Sequence, residues 1–400
     1  MTKEHDHNEM LRGLLSRNSV LLLALLGIAI VFEVLTRSAT NSFLSARSIS
    51  TIFMQASVIG VLACGMTFLI ILTHIDLSVG SALAFLGGVG AWMMAPRLEP
   101  MQSGISLSTA VPSGLGLPAI LTFFLVLLLG LILWGLKGFL QVSTGMPAFI
   151  ITLGGMMGYR GLAYLIVKRE IPLADDNFVS KIGTEYLDVT IGWFIFAFLM
   201  VYAMIRTIKA IKDKSPGWYF SIIPIVLICM LILFLQMKHS GVREESRGIA
   251  FLTFIWAASA FIMSWIANNT VYGRHLYSVG GNMEAAVLCG IHVKRVTILA
   301  FLSMGVLASL ASLMYLGQQG TAESSAGNLA ELDAIAACVI GGVSLKGGKG
   351  SIMGAVLGTL IMQSLTSGLY QCNVESGYQM VIKAAVLIAV VASDHVLRKN

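Results

Sequence analysis

The stretch Thr51–Leu72 reads TIFMQASVIGVLACGMTFLIIL and contains no Asp, Glu, Lys or Arg. About 20 apolar residues rising 1.5 Å each cross the roughly 30 Å hydrocarbon core of a bilayer, so this run predicts one membrane-spanning helix. The same test carried outward gives twelve candidate spans: Val20–Leu35, Thr51–Leu72, Val79–Ala95, Leu117–Leu136, Pro147–Val167, Thr190–Ile205, Trp218–Met237, Ile249–Asn268, Val296–Leu316, Ala334–Leu345, Ser351–Tyr370 and Tyr378–Ala392. The expected fold is therefore all-α: a polytopic transmembrane helical bundle forming a single domain over residues 1–400. Ala334–Leu345 is too short for a regular crossing, and Gly341-Gly342 inside it predict a broken or partly re-entrant segment buried in protein.

Composition agrees. Hydrophobic residues make up 56% of the 400 and charged residues 12%, against about 25% charged in soluble domains. That excludes most soluble enzymes. The net charge of +6 points to cytoplasmic loops rather than nucleic acid, because Lys and Arg collect on the cytoplasmic side of membrane chains. In the twelve-span arrangement most Lys and Arg fall on the N-terminal side, led by the loop with Arg206, Lys209, Lys212 and Lys214, while Glu170–Asp188 on the other side is acidic. Both termini, including the His-containing tail 1–18, are expected in the cytoplasm. Val20–Phe32 follows Arg12 and Arg17 like a signal peptide, but the many later spans predict an uncleaved first helix. Cys64, Cys229, Cys289, Cys338 and Cys372 are scattered singly, without metal-ligand spacing. No catalytic, cofactor or metal site is expected.

Polar residues interrupt the apolar runs at a few places. Asp76, with Thr73, His74 and Ser78, breaks the chain between the second and third spans. Arg160 and Lys383 lie inside spans, where a charge costs at least about 2.5–3.5 kcal/mol, so each is expected to face the bundle interior or the interface. Asn328, Glu331 and Asp333 are their candidate counter-groups. Asp76, Ser78, Arg160, Asn328, Glu331 and Asp333 are thus the candidate pathway or gating residues. The order Ile75-Asp76-Leu77 then Gly87-Gly88-Val89 is echoed by Glu331-Leu332-Asp333 then Gly341-Gly342-Val343, with the two aspartates at opposite sides, as in an inverted repeat. Gly154 with Gly158, and Gly350, Gly354 and Gly358, recur at spacing four and predict close helix packing. Lys346-Gly347-Gly348-Lys349-Gly350-Ser351 resembles a phosphate loop but has Val343 and Gly350 where that pattern needs Gly and Ser or Thr, so a tight turn is expected there.

The segment 272–295 is predicted to be cytoplasmic. Within it Asn282 can cap a short helix over Met283–Leu288, and Gly290 can stop it. A compact helix displayed between two spans suits docking to a partner. Gly273, Arg274, Gly281, Asn282, Glu284, Ala285, Ala286 and Gly290 are its candidate coupling residues, with Glu284 and the Ala285-Ala286 face as the expected contact.

These motifs together resemble the permease subunits of bacterial ABC importers for simple sugars, the ribose, xylose and galactose group. The resemblance rests on Ile75-Asp76-Leu77-Ser78-Val79-Gly80-Ser81, the Gly273–Ile291 loop, Glu331-Leu332-Asp333-Ala334-Ile335-Ala336-Ala337, and Gly341-Gly342 through Gly347-Gly348-Lys349-Gly350. It covers nearly the whole chain. It implies a ten-span permease core, with the extra hairpin Thr190–Met237 (190–237) resembling the longer xylose-type members. Thr73-His74 stands where ribose-type members show Gly-Gly. The resemblance further implies a permease homodimer in the bacterial inner membrane, a separate ABC-type ATPase docked on Met283–Leu288, a periplasmic sugar-binding protein and a monosaccharide substrate. The rival class is an ion-coupled secondary sugar transporter. Its intramembrane carboxylate would have to be Glu33, the one acid clearly inside a run. An intramembrane enzyme would need paired catalytic groups, which the spans lack.

Overall fold

The run Thr51–Leu72 is helical as expected up to Ile71, with Leu72 as its C-cap, and the helix starts five residues earlier, at Ala46, where the Ser45 hydroxyl accepts the Ser48 N–H at 3.2 Å and caps it. The computed structural model describes residues 17–36, 42–96, 114–174, 176–188, 190–194, 197, 201, 204, 205, 208 and 249–397. The helices are α1 (Arg17–Thr36), α2 (Ala46–Ile71), α3 (Val79–Met94), α4 (Ala119–Thr144), α5 (Ala148–Ile166), α6 (Phe178–Thr184), α7 (Phe251–Asn269), α8 (Val271–Gly281), α9 (Met283–Leu288), α10 (Val293–Gln319), α11 (Ala330–Ile340), α12 (Ile352–Gln371) and α13 (Ser376–Leu397). Six of them, α2, α4, α5, α7, α10 and α12, are long and apolar enough to cross a membrane, and α1, α3 and α13 contain shorter apolar stretches. The predicted hairpin 190–237 and the tail 1–18 lie almost wholly outside the described residues, as do Arg206, Lys209, Lys212, Lys214 and Cys229.

Lipid tails are as apolar as leucine, so helices gain little hydrophobic energy by associating in a bilayer and depend on close packing instead. The Gly ladder of α12 shows this. A methyl added at Gly354 would strike the Gly341 carbonyl, and one at Gly358 the Ala337 carbonyl, so α11 and α12 touch backbone to backbone. Gly350, ahead of α12, is equally pressed on Val343. The crossing of α4 with α10 works the same way, a methyl on Gly305 falling 2.7 Å from the Gly130 carbonyl oxygen. Gly154 and Gly158 do not behave as expected: an added methyl at either meets nothing within 4 Å. Their flat stripe is exposed on α5 and faces none of the described residues.

Two helices are too short for a full crossing. α3 has 16 residues and α11 has 11, about 24 and 16 Å at 1.5 Å per residue. They start side by side, since a methyl on Gly80 would collide with the Glu331 carboxylate and lie 2.5 Å from the Gly327 carbonyl oxygen. They then run to opposite ends of the bundle. α11 finishes at Gly341 against the first turn of α12, whereas Ala95 after α3 accepts the Gly116 N–H at 2.8 Å in the lead-in to α4. The predicted short segment Ala334–Leu345 is thus an eleven-residue helix beginning at Ala330, closed by a turn at Gly341-Gly342. At the far end, β1 (Ile171–Pro172) pairs antiparallel with β2 (Thr321–Ala322) and ties the exit of α5 to the exit of α10.

Candidate translocation and coupling sites

Asp76 sits in the extended segment between α2 and α3 and is fully buried. Its Oδ1 accepts the Ser78 N–H at 2.8 Å and the Ser78 hydroxyl at 2.6 Å; its Oδ2 accepts Trp134 Nε1–H at 2.6 Å and Lys137 Nζ at 3.2 Å. Lys137 also donates to Ser78 Oγ at 2.7 Å, and its ammonium lies 3.4 Å from the centroid of the Trp134 ring. Both oxygens of the carboxylate and the cation are therefore satisfied, as buried charges require. Asp76 and Ser78, expected beside a pathway, form a closed polar knot that fastens the segment to α4. Thr152 of α5 fastens it again, donating to the Ile75 carbonyl at 3.1 Å.

Lys137 escaped the sequence reading. The predicted fourth span, Leu117–Leu136, stops one residue before this charge. The helix continues to Thr144, and Lys137 is buried in it. The spacing carried a signal: Trp134 and Lys137 are three apart, on one helix face, and together they bracket a buried carboxylate.

Among the described residues Arg160 makes no salt bridge to a carboxylate, although its charge is felt by Glu331. Its guanidinium donates to the carbonyls of Ser324 at 2.7 Å and Ala326 at 2.9 Å, holding the turn that precedes α11. Asn328 lies in that turn, and Leu329 after it is left-handed at φ +62. Asp333 binds Lys383 at 2.8 Å, so this span lysine has its counter-ion on a neighbouring short helix. Glu331 is 8% exposed, and its Oε2 has no hydrogen-bond partner among the described residues. Around the meeting point of α3 and α11 the structure therefore brings together Asp76, Ser78, Glu331 and the turn held by Arg160. Asp333 and Lys383 form a separate pair. Glu33, the rival coupling carboxylate, accepts the Ser42 hydroxyl at 2.7 Å and the Leu44 N–H at 2.9 Å, tying α1 to the turn before α2.

The docking loop forms as two helices. Thr270 caps α8 by accepting the Gly273 N–H at 3.1 Å, a helix the sequence reading did not separate from the loop. Asn282 accepts the Ala285 N–H at 3.0 Å and starts α9 at Met283, and Gly290 at φ +79 ends the turn behind it, both as predicted. The outward face differs from the expected one. Ala286 is only 4% exposed, whereas Leu288 is 88% exposed, with Met283, Glu284, Ala285 and Val287 also exposed. With about 3.6 residues per turn, a six-residue helix lying on the bundle must turn one position inward, and that position is Ala286. Arg274 is exposed on α8 and Gly273 is buried against the end of α7. Gly347 and Gly348, at φ +84 and +69, make the tight turn expected in place of a phosphate loop.

Comparison with known proteins agrees with this architecture. Residues 48–391 match the family described as branched-chain amino acid transport system / permease component. The xylose transport system permease protein XylH of Escherichia coli K12 is 34% identical over 97% of this chain and 95% of its own length. The ribose import permease protein RbsC of Haemophilus influenzae is 31% identical over 99% of this chain and 98% of its length, and RbsC of E. coli K12 29% over 93% and 92%. No solved structure matches. The full-length agreement and the helical bundle together establish that this chain belongs to the branched-chain amino acid transport system / permease component family, as a multi-pass transmembrane permease subunit.

Proposed function

We propose that this chain forms the translocation pathway of an ATP-driven monosaccharide importer, with D-xylose or a related pentose as cargo. The observation that carries this reading is the near full-length similarity to XylH, supported by RbsC relatives that name a second pentose. Membership of an ABC permease family brings a separate ATPase and a periplasmic binding protein as partners. Leu288, Met283 and Val287 make α9 an exposed apolar knob, which we assign to docking on that ATPase, and Asn282 and Gly290 hold it in shape. Both termini are placed in the cytoplasm on the positive-inside argument.

Translocation is assigned to the region where α3 and α11 begin. Two half-length helices meeting inside a membrane leave backbone N–H groups and polar side chains at mid-depth, which lipid does not tolerate and a hydroxyl-rich cargo can use. Asp76, Ser78, Glu331 and the turn held by Arg160, which includes Asn328, border that region, and Asp333 follows in the first turn of α11, paired with Lys383. The outward stripe of Gly154 and Gly158 on α5 is assigned to the seam of a permease homodimer, because a flat glycine face without a partner among the described residues suits close approach of a second copy. Selectivity is assigned to the binding protein, so the purified permease alone binds free sugar weakly. Alternating access is then an equilibrium biased by ATP on one side and by the loaded receptor on the other.

The deciding experiment is uptake of labelled xylose into vesicles with and without the co-expressed ATPase and binding protein, with the proton gradient collapsed. Uptake that needs both partners and ATP supports the reading. Gradient-driven uptake by this chain alone overturns it in favour of an ion-coupled carrier.

A further inference from the structure

We propose that the backbone crossing of Ile71, Gly280 and Gly348 is a mechanical joint through which displacement of α9 reaches both half-length helices, α3 and α11, at once. The proposal rests on the reading of α9 as the ATPase dock. Three chain segments meet here with no side chain between two of the crossings. The Gly348 N–H donates to the Ile71 carbonyl at 2.9 Å. A methyl added at Gly280 would fall on that same Ile71 carbonyl and lie 2.8 Å from the Gly348 nitrogen. One added at Gly348 would lie 2.6 Å from the Gly281 Cα, and one at Gly347 would lie 2.6 Å from both the Gly280 carbonyl oxygen and Thr73 Cγ2. A fourth tie comes from Tyr277 of α8, whose hydroxyl donates to the Gly350 carbonyl at 2.9 Å.

Only Asn282 separates α8 from α9, so any shift of α9 is felt at Gly280 and Gly281. Flexible side chains would absorb such a shift by changing rotamer; backbone in direct contact has no such freedom and passes it on. From the joint, two short straps lead inward. Leu72–Ser78 runs from the end of α2 to the start of α3 and is pinned along its course by Thr152 and by the Asp76–Lys137 pair. Gly341–Gly347 runs back to the end of α11, held by Ser344 N–H on the Lys349 carbonyl and Val343 N–H on the Cys338 carbonyl, both at 2.9 Å. The two helices that meet at mid-depth are therefore tied, each by one strap, to a single point beside the dock. A push on that point moves both together, which a joint on one strap alone would not do.

The test uses the assembled transporter, permease with ATPase and binding protein, in proteoliposomes, and reads three quantities: ATPase association, ATP turnover and sugar delivered per ATP. Gly280→Ala is expected to leave association intact and turnover within about twofold while sugar per ATP falls about tenfold, the size of an ordinary coupling energy between sites. Wild-type sugar per ATP in G280A overturns the joint. Should G280A fail to assemble, Tyr277→Phe, which removes one hydrogen bond and adds no volume, carries the test: a smaller fall in the same ratio is expected, and an unchanged ratio overturns the proposal. Gly377→Ala, whose methyl meets nothing within 4 Å, is the control. The docking reading is checked separately by Ala285→Arg. If A285R assembles normally with the ATPase, the dock is misassigned and the joint falls with it; if A285R blocks assembly and G280A couples normally, only the joint falls.

Discussion

Asp76 and Lys137 form an ion pair at 3.2 Å with side chains 0% and 5% exposed, linking the segment between α2 and α3 to the C-terminal half of α4, 61 residues away in sequence. Removing one member of such a pair strands the other as a buried charge, at a cost of about 3–5 kcal/mol. Lys137→Met and Asp76→Asn are each expected to lower the thermal unfolding temperature of the detergent-solubilised permease and to abolish uptake. The double variant is expected to recover a large part of the lost stability, because no uncompensated charge remains. A double variant no more stable than the worse single one would show that the pair is not the relevant interaction.

Two neighbouring alanines on α9 should behave in opposite ways. Ala285 is exposed and Ala286 is 4% exposed. Ala285→Arg is expected to leave the permease folded and inserted while preventing co-purification of the ATPase. Ala286→Leu overpacks a filled site, at about 1–3 kcal/mol, and is expected to destabilise the loop itself. Hydrogen exchange across residues 282–291 separates the two outcomes, with faster exchange in the second only.

Thr73 ends α2 at φ +64, a left-handed position that costs an L-residue about 1–2 kcal/mol. Glycine adopts it freely but makes the unfolded chain more flexible, which returns about 0.5–1 kcal/mol. Thr73→Gly is therefore expected to raise the unfolding temperature slightly and to keep transport. A fall in unfolding temperature would mean that the Thr73 methyl, packed toward Gly347, contributes more than the strain removes.

The glycines at spacing four divide into two kinds. Gly358→Ala is expected to destabilise the monomer, since its methyl strikes the Ala337 carbonyl, whereas the methyl of Gly158→Ala meets nothing within 4 Å among the described residues. If Gly154 and Gly158 form the seam of a dimer, Gly158→Leu should weaken self-association in cross-linking or light scattering while leaving monomer unfolding unchanged. Unchanged association would return this face to lipid.

Single cysteines at Asn328 and Asp333, in a background lacking the native ones, are expected to react with polar thiol reagents in at least one nucleotide state. Protection of both in every state would place the start of α11 away from the path.

Much of this was legible in the sequence. Apolar runs such as Thr51–Leu72 and Val296–Leu316 announce themselves because crossing hydrocarbon demands length and the absence of charge, both local properties. The α9 helix was legible for a similar reason: Asn282 and Gly290 act on their immediate neighbours. Partners chosen across the fold were not. The Arg160 guanidinium hydrogen-bonds two carbonyls while its charge reaches Glu331, and the fourth run, read to Leu136, stops short of Lys137 because a burial partner 61 residues away leaves no mark on the run that contains it. Nor does spacing reveal which way a glycine stripe faces, as Gly154, with nothing within 4 Å among the described residues, and Gly354, against the Gly341 backbone, show.

The brevity of α11 bears on how the chain is made. Eleven residues with Glu331 and Asp333 in the first turn are too short and too polar to leave the translocon for lipid alone. Its neighbours α10 and α12 lie on either side of it in sequence, and the lysine that neutralises Asp333 is 50 residues further on, in α13. Membrane insertion of this region thus waits on synthesis of the C-terminal helices, and nascent chains stopped before Lys383 should be held by the insertion machinery or degraded.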